Sequence, residues 1–192
     1  MSITESGTRV YAPERRVREG RELAMVYIGS AACGPSNRED LPGMIEELKL
    51  RLSGRAAGSG RSFAAVGIAR DWDVREGIAH LEKFGEFDEV ATGRSWLNLG
   101  TLKYVWEDLP GVAATPQVLV VDRSVGEQGP GREGTQYTVR DEVLIARKVG
   151  TDEIGEWLAR GAPLPDLEQV PIGGSGEAAV PAGSRRRPVS SP

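Results

Sequence analysis

The residue in this chain with the clearest capacity for chemistry is a cysteine that occurs once in the sequence. It opens the tetrapeptide Cys33-Gly34-Pro35-Ser36, which follows an apolar run, residues 23–28, typical of a buried strand. Glycine and proline favour a turn, and the segment beyond them predicts a helix. A thiol at a helix N-terminus meets backbone N–H groups and the positive end of the helix dipole, which lower its pKa. The pattern favours an exposed, reactive thiol over the alternative of a buried, inert cysteine.

Composition narrows the functions that such a thiol can serve. The 192 residues include one cysteine and one histidine, so neither an internal disulfide nor a Cys/His zinc site is expected, and no cofactor is predicted. A net charge of −4 gives no overall attraction to nucleic acid or anionic lipid. No apolar run approaches the ~18 residues of a membrane-spanning helix, and residues 1–6 lack the features of a secretory signal. We expect a cytoplasmic protein with a reduced thiol.

The elements that must position this thiol follow from the spacing of apolar residues. Further strands are predicted at residues 63–69, 87–91, 118–121, 136–139 and 143–149. Apolar residues recur at helical spacing in residues 41–52, 74–84, 99–109 and 151–158. Strands that alternate with helices and then form a hairpin and a last helix predict an α/β fold. In this fold a central mixed β-sheet is flanked by helices on both faces.

Helix ends can be predicted from single residues. Asp73 and Asn98 are typical N-caps, and Thr151 is expected to cap the last helix. Pro42 is expected to kink the first helix or restart it, because proline lacks a backbone donor. Residues 55–61 are rich in glycine, alanine and serine, which predicts a surface loop after this helix.

The single histidine is predicted to be a surface residue. The buried stripe of the helix at residues 74–84 is expected to comprise Val74, Ile78, Leu81 and Phe84. His80 lies off that stripe, close to Glu76 and Lys83 in the sequence. We therefore interpret His80 as an exposed helix residue rather than a catalytic base.

Two segments are predicted to lie outside the packed domain, which spans residues 22–162, and a third is predicted to be an insert within it. Residues 1–21 are read as a polar arm, and residues 163–192, rich in proline, glycine, serine and alanine, as a disordered tail. Residues 123–134 are read as a polar insert that forms a flexible hairpin loop. Its end matches G-x-G-x-x-G, but the strand-like sequence that follows argues against a phosphate-binding helix N-terminus. The role of the insert and of the tail is open.

Three separated motifs resemble those of the thioredoxin superfamily. The Cys33 tetrapeptide resembles the active-site C-G-P-C turn, Thr115-Pro116 resembles the cis-proline that opens a strand beside that turn, and Val149-Gly150 resembles the V-G that leads into the last helix. The resemblance covers about residues 22–161 and implies a thioredoxin-like fold. It also implies that Cys33 and Pro116 are neighbours, that the bond before Pro116 is cis, and that Thr115 and Pro116 form a groove for an extended partner peptide.

Several positions depart from the family pattern. Ser36 stands where the family has its resolving cysteine, and a hydroxyl cannot attack a mixed disulfide as a thiolate does. Ala31 and Ala32 replace the usual tryptophan-containing pair before the cysteine, and Tyr27 falls at the position of the buried aspartate. The family's partner lysine aligns with the apolar strand near Val66. These departures argue against ordinary dithiol reduction of protein disulfides.

Two classes of function are compatible with this pattern. In the first, Cys33, Gly34, Pro35 and Ser36 form a monothiol site. Cys33 exchanges with a disulfide, or forms a mixed disulfide, with a client protein or low-molecular-weight thiol. In the second, the chain is a redox-inert binding module that keeps the groove at Pro116. Cluster binding, as in monothiol glutaredoxins, is a weaker option because their C-G-F-S motif and glutathione-binding residues are not recognisable. The sequence indicates neither the client nor the oligomeric state.

Overall fold

The apolar run before Cys33 forms the central strand of the sheet. The structure, a computed structural model, describes residues 19–131 and 134–169, and strand β1 spans Gly20–Gly29. The six side chains from Leu23 to Ile28 are fully buried. Because successive side chains of a strand point to opposite faces, an uninterrupted apolar run requires that both faces of β1 be covered.

Four further strands complete a mixed sheet. They are β2 (Ser62–Ala69), β3 (Glu89–Ala91), β4 (Gln117–Gly131) and β5 (Gly134–Val149), and the order in the sheet is β3-β2-β1-β4-β5. β1, β2 and β3 run parallel, whereas β4 is antiparallel to both β1 and β5. The predicted fold class, an α/β fold with a central mixed sheet, is confirmed.

Helices cover both faces of the sheet, as the sequence predicts. Helices α1 (Leu41–Gly58), α2 (Val74–Glu82) and α4 (Thr151–Ala159) pack on one face, against Leu23, Met25 and Tyr27 of β1. Helix α3 (Leu99–Thr101), which continues as a π-helical segment, Leu102–Glu107, packs on the other face. Each face thereby buries one alternating set of side chains from the central strand. Among the described residues, no helix is long and apolar enough to cross a membrane.

Helix α1 differs from its prediction at both ends. It begins at Leu41 with Pro42 in its first turn, where the missing N–H has no helical partner to lose, so the proline starts the helix rather than kinking it. The prediction of a loop over residues 55–61 is wrong, because α1 continues to Gly58. Leu52 and Ala56 are both fully buried and extend the apolar stripe by one turn. Tertiary packing there outweighs the weak helix propensity of glycine and serine.

Helix α2 is capped as predicted, and Leu81 and Phe84 of its predicted stripe are buried, but the first half of that stripe is not. The Asp73 side chain accepts hydrogen bonds from the backbone N–H groups of Arg75 and Glu76, while Val74 and Ile78 are exposed. Gly77 and His80 face inward in place of these two residues. A Cβ at Gly77 would lie 3.0 Å from that of Ala69, so the helix approaches β2 closely through its glycine. This close approach sets the rotation of the helix.

Asn98 caps α3 as predicted, whereas Thr151 does not cap α4. The Asn98 side chain accepts a hydrogen bond from the Thr101 N–H at 2.9 Å. Gly150, with a φ of 85°, occupies the N-cap position of α4, and Thr151 is the first helical residue. The Thr151 hydroxyl is used elsewhere, as a donor to the carbonyl of Pro35.

The segment predicted to be a flexible loop at residues 123–134 is mostly strand. β4 and β5 stay paired as far as Gly131 and Gly134, with three register shifts along the way. Val125 is buried. The backbone groups of this region form hydrogen bonds between the two strands, and this pairing does not depend on the polarity of the side chains. The prediction failed because a glycine-rich, polar sequence can extend a hairpin that its neighbouring strand already sets in register.

The described chain continues beyond the predicted end of the domain at residue 162. Leu167 is only 8% exposed and joins the core cluster, and the Arg61 guanidinium donates to the Leu167 carbonyl at 2.7 Å. The Trp157 indole donates to the carbonyl of Pro163. The remaining parts of the predicted arm and tail, residues 1–18 and 170–192, lie outside the described residues.

Candidate functional site

The sheet brings three chain segments together at the carboxyl end of β1. Gly29 closes β1, and its carbonyl accepts a hydrogen bond from the N–H of Arg70, the residue after β2. β4 enters from the opposite direction, with Gln117 paired to Ile28, so Thr115 and Pro116 stand beside the segment that leads to Cys33. An antiparallel neighbour thus places the start of β4 where two parallel strands end.

Cys33 contacts the segment around Pro116 directly. Its thiol donates to the backbone carbonyl of Thr115, with the sulfur 3.2 Å from the oxygen, and the residue is partly exposed. The peptide bond between Thr115 and Pro116 is cis. The structure therefore brings Cys33 and Pro116 together and confirms the expected cis bond.

The turn that follows β1 is held by hydrogen bonds that the sequence pattern did not predict. Asn37 Nδ2 donates to the carbonyls of Ser30, Ala31 and Cys33, at 3.3, 2.8 and 2.8 Å. The buried carboxylate of Asp71 accepts from the Ser30 hydroxyl and from the Ala31 N–H, both at 3.0 Å. The backbone and its thiol are therefore held in one arrangement before any partner arrives.

Gly34, Pro35 and Ser36 form a short turn rather than the start of a long helix. Pro35–Asn37 are a single 3-10 turn, and the Thr151 hydroxyl donates to the Pro35 carbonyl at 2.8 Å. α1 begins only at Leu41, so the predicted placement of the thiol at a helix N-terminus is wrong. Gly34 and Pro35 are exposed, while Ser36 is buried with its hydroxyl toward the protein interior.

Local groups, rather than a helix dipole, activate the thiol. Burial alone would raise the pKa of Cys33, but the side-chain hydroxyl of Thr115 and the hydroxyl and backbone N–H of Ser36 favour the thiolate, and the positive charge of Arg70 adds to them. These contributions outweigh burial, and the pKa of Cys33 is held below its ordinary value. A lowered thiol pKa combined with partial exposure is typical of a reactive cysteine.

The prediction that His80 is exposed is wrong. His80 is 1% exposed, and its Nε2 is 3.2 Å from the hydroxyl of Tyr27. Phe84 packs against both rings, with centroids 4.4 Å from Tyr27 and 5.0 Å from His80. Burial lowers the pKa of His80 to about 4, so the imidazole is neutral near pH 7. Glu76 and Lys83, which lie at helical spacing from His80, are charged, which is why the pattern indicated a surface residue.

The structure adds residues to the site that sequence reasoning missed. Asp71, Asn37 and Thr151 position the turn, and Arg70 acts on the thiolate. Arg70 and Asp71 could have been found, because they directly follow a predicted strand parallel to the one that precedes Cys33. Within residues 19–131 and 134–169, no group of three or more His, Cys, Asp or Glu side chains is arranged to hold a metal ion.

The strand order, the helices on both faces and the thiol beside the start of β4 define an α/β protein of thioredoxin-like fold. Comparison with protein-family models and with curated proteins found no match. Among solved structures, the chain is similar to a domain of a possible thiol-disulfide isomerase from Cytophaga hutchinsonii. The two are 15% identical with a TM-score of 0.34, and the similarity covers 82% of this chain and 84% of that chain.

Proposed function

We propose that the protein acts through Cys33 as a monothiol exchange protein. Its thiolate attacks a disulfide, either in a client protein or in the oxidised form of a low-molecular-weight thiol. A new S–S bond forms at Cys33, the original S–S bond breaks, and the departing sulfur leaves as a thiolate. The observation that carries the proposal is the position of Cys33, a partly exposed residue whose Sγ is 3.2 Å from the Thr115 carbonyl oxygen.

Release of the partner requires a thiol from outside the chain. Ser36 occupies the position from which a second cysteine would attack the mixed disulfide, and the sequence contains no other cysteine. An external thiolate attacks the mixed disulfide and restores Cys33 as a thiolate, so the exchange needs no added oxidant or reductant beyond that thiol. The segment at Thr115 and Pro116 is proposed to pair with the extended backbone of the partner.

A second candidate is a redox-inert binding module. Two features favour it: Ser36 stands in place of a second thiol, and Tyr27, which is uncharged near neutral pH, lies where the family resemblance places a carboxylate. In that case the surface beside Pro116 would bind a partner without covalent chemistry. The reactivity of Cys33 discriminates between the two candidates.

The test is intact-mass measurement after incubation with glutathione disulfide, with Cys33→Ser as the control. We expect the wild-type protein to gain one glutathionyl group that persists until dithiothreitol is added, and the control to gain none. Ser36→Cys should shed the adduct by forming an internal disulfide, because a tethered thiol has a far higher effective concentration than a free one. A wild-type protein that stays unmodified until it is unfolded supports the inert module.

A further inference from the structure

Two polar side chains bond each other at the end of β4 that adjoins Cys33. Gln117 is the first residue of β4 and is fully buried, although it is polar. Arg147 lies on β5 opposite Leu119, so its side chain projects from the same face of the sheet as that of Gln117. Arg147 Nη1 donates to Gln117 Oε1 at 3.2 Å. Such a buried polar pair is tolerated when its other donors are bonded as well.

Gln117 bonds the backbone just before Thr115. Its Nε2 donates to the carbonyls of Val112 and Ala114 at 2.7 and 2.5 Å. Because a carbonyl can only accept and a guanidinium can only donate, the amide has a single orientation that satisfies all three contacts. Residues 110–114 have no regular secondary structure, so these bonds take the place of the backbone pairing that a strand or a helix would provide.

Arg147 holds the other end of the same segment. Its Nη2 donates to the carbonyls of Tyr104, within the π-helical segment, and Leu109, just beyond it, at 3.1 and 2.6 Å. A Cβ at Gly111 would lie 2.0 Å from Arg147 Nη1, so the chain passes close to the guanidinium there. The guanidinium therefore connects the start of the segment to the Gln117 amide, which holds its end.

The segment held in this way carries the contact to the thiol. The Thr115 carbonyl accepts the hydrogen bond from the Cys33 thiol at 3.2 Å. The Pro116 carbonyl accepts from the Gly150 N–H at 2.8 Å. Thr115 is partly exposed, and the pairing of β4 with β1 and β5 stops at Gln117, so the backbone of Thr115 is paired with neither strand.

We propose that Gln117 and Arg147 are positioning residues that set the Thr115 backbone for pairing with the peptide whose disulfide Cys33 attacks. They act through the backbone of residues 110–115 rather than on the thiol. A peptide gains hydrogen bonds beside Thr115 that a disulfide without a peptide backbone cannot make, and a backbone fixed in advance loses less entropy on binding. The inference rests on the proposed function and makes peptide disulfides the preferred substrate class.

The test uses one reagent that offers Cys33 two sulfur atoms. It is a blocked, uncharged seven-residue peptide whose central cysteine is joined by a disulfide to 2-mercaptoethanol. Attack on the peptide sulfur forms a peptide adduct and releases 2-mercaptoethanol, whereas attack on the other sulfur forms a hydroxyethyl adduct and releases the peptide thiol. Intact-mass measurement of early, acid-quenched samples gives the ratio of the two adducts. Because both adducts come from the same thiolate, their ratio does not depend on the pKa of Cys33.

We expect the folded wild type to favour the peptide adduct about three- to tenfold more than the same protein unfolded in urea, the effect of about one hydrogen bond to the peptide backbone. Arg147→Gln and Gln117→Glu should each remove most of this preference. The glutamate keeps an acceptor for Arg147 but cannot donate to the two carbonyls. Arg140→Gln is the matched control and should keep the wild-type ratio, because Arg140 is an exposed residue of β5 that donates to the Glu127 carbonyl instead.

Gly111→Ala keeps the test decisive if either variant fails to fold. Its methyl group would displace the Arg147 guanidinium, and the φ of Gly111 lies outside the left-handed region. It should lower the adduct ratio in the wild type but have no further effect in Arg147→Gln, because both changes act through one guanidinium.

The outcomes separate positioning from a structural role and from the proposed function. A structural role alone would weaken resistance to urea and leave the adduct ratio of the folded variants unchanged, which overturns the inference. A folded wild type with the ratio of the unfolded chain also overturns it, while exchange at Cys33 stands. A wild type that forms neither adduct overturns the proposed function as well.

Discussion

Arg70 places a positive charge beside the thiol of Cys33, where it can attract an anionic group. Its guanidinium acts on the Cys33 thiolate and lies over the ring of Trp96, 5.1 Å from the ring centroid. Its Nε is buried and has no hydrogen-bond partner among the described residues. A cation in this position both favours the thiolate and attracts an anionic group on the molecule that approaches it.

We expect Arg70→Gln to slow alkylation of Cys33 by iodoacetate more than by neutral iodoacetamide. Loss of the charge raises the thiol pKa equally for both reagents, so the ratio of the two rates isolates the attraction of the anion. The rate with iodoacetate divided by the rate with iodoacetamide should fall about two- to fivefold, which is the effect expected of a partly exposed charge interaction. Both rates are measured by quenching the alkylation at a series of times and determining the mass of the protein.

Arg75→Gln is the matched control for this comparison, because Arg75 is exposed on α2 and does not contribute to the pKa shift of Cys33. An unchanged ratio in Arg70→Gln would show that the guanidinium does not reach the incoming reagent. Arg70→Lys, which retains the charge, should keep most of the ratio.

His80 should make the stability of the domain depend on pH in a defined window. The folded protein keeps His80 neutral down to about pH 4, whereas in the unfolded chain it takes up a proton below about 6.5. Between these values the unfolded state binds more protons, so stability falls as the pH is lowered. The full effect is at most about 3 kcal/mol, and the nearby charges of Asp71 and Lys83 partly cancel each other.

Urea unfolding at pH 7.5, 6, 5 and 4.5 measures this effect. Carboxylates also titrate at the lower values, so the readout is the difference between the wild-type protein and His80→Gln. We expect the wild type to lose more stability than the variant as the pH falls. Parallel curves would mean that His80 is solvated and titrates alike in both states.

At the scale of the element, one glycine in β1 and one in α1 differ in whether a side chain would fit at their position. Gly29 is the last residue of β1, and any side chain there would meet the Tyr27 hydroxyl and the imidazole of His80. Gly43, in the first turn of α1, has nothing within 4 Å of the position that a Cβ would take. The two glycines therefore have different physical roles.

Alanine substitution at these two positions should give opposite results. Gly29→Ala should destabilise the domain by about 1 to 3 kcal/mol through overpacking and should displace the Tyr27 and His80 pair. Gly43→Ala should be neutral or stabilise the domain by up to about 1 kcal/mol, because alanine is the better helix former. Urea unfolding of the two variants measures both effects, and equal destabilisation would contradict the close contact at Gly29.

At the scale of the whole molecule, two clusters of buried ion pairs tie the sheet together. Arg61 and Arg21 both bond the buried carboxylate of Asp122 in β4. Arg123, the next residue, is 3% exposed and pairs with Glu22 of β1 and Glu89 of β3. Charges this deeply buried are tolerated only when they are paired, so these residues link β1, β3 and β4 within one unit.

We propose that residues 22–162 form one domain, with the short segment up to residue 169 packed against it. Limited proteolysis should yield a fragment that contains all five strands, and cleavage should be concentrated in the regions predicted from composition to be an arm and a tail. Mass spectrometry of the fragments identifies the sites. Early cleavage between residues 63 and 106 would contradict a single domain.

The sequence alone determined the features that depend on local spacing. The buried strand before Cys33, the caps at Asp73 and Asn98 and the order of strands and helices follow from periodicity and from single-residue preferences. The position of Pro116 beside the thiol followed from the family resemblance, and the structure places the two together.

Only the tertiary structure decided how the site is built and supported. The bond from Thr151 to Pro35 joins residues 116 positions apart, and the contact between His80 and Tyr27 spans 53. No local sequence pattern predicts either contact, because the partners come together only when α2 and α4 pack on the sheet. The rotation of α2, set by the close approach at Gly77, decided that a segment with charged residues around His80 would bury its imidazole against Tyr27.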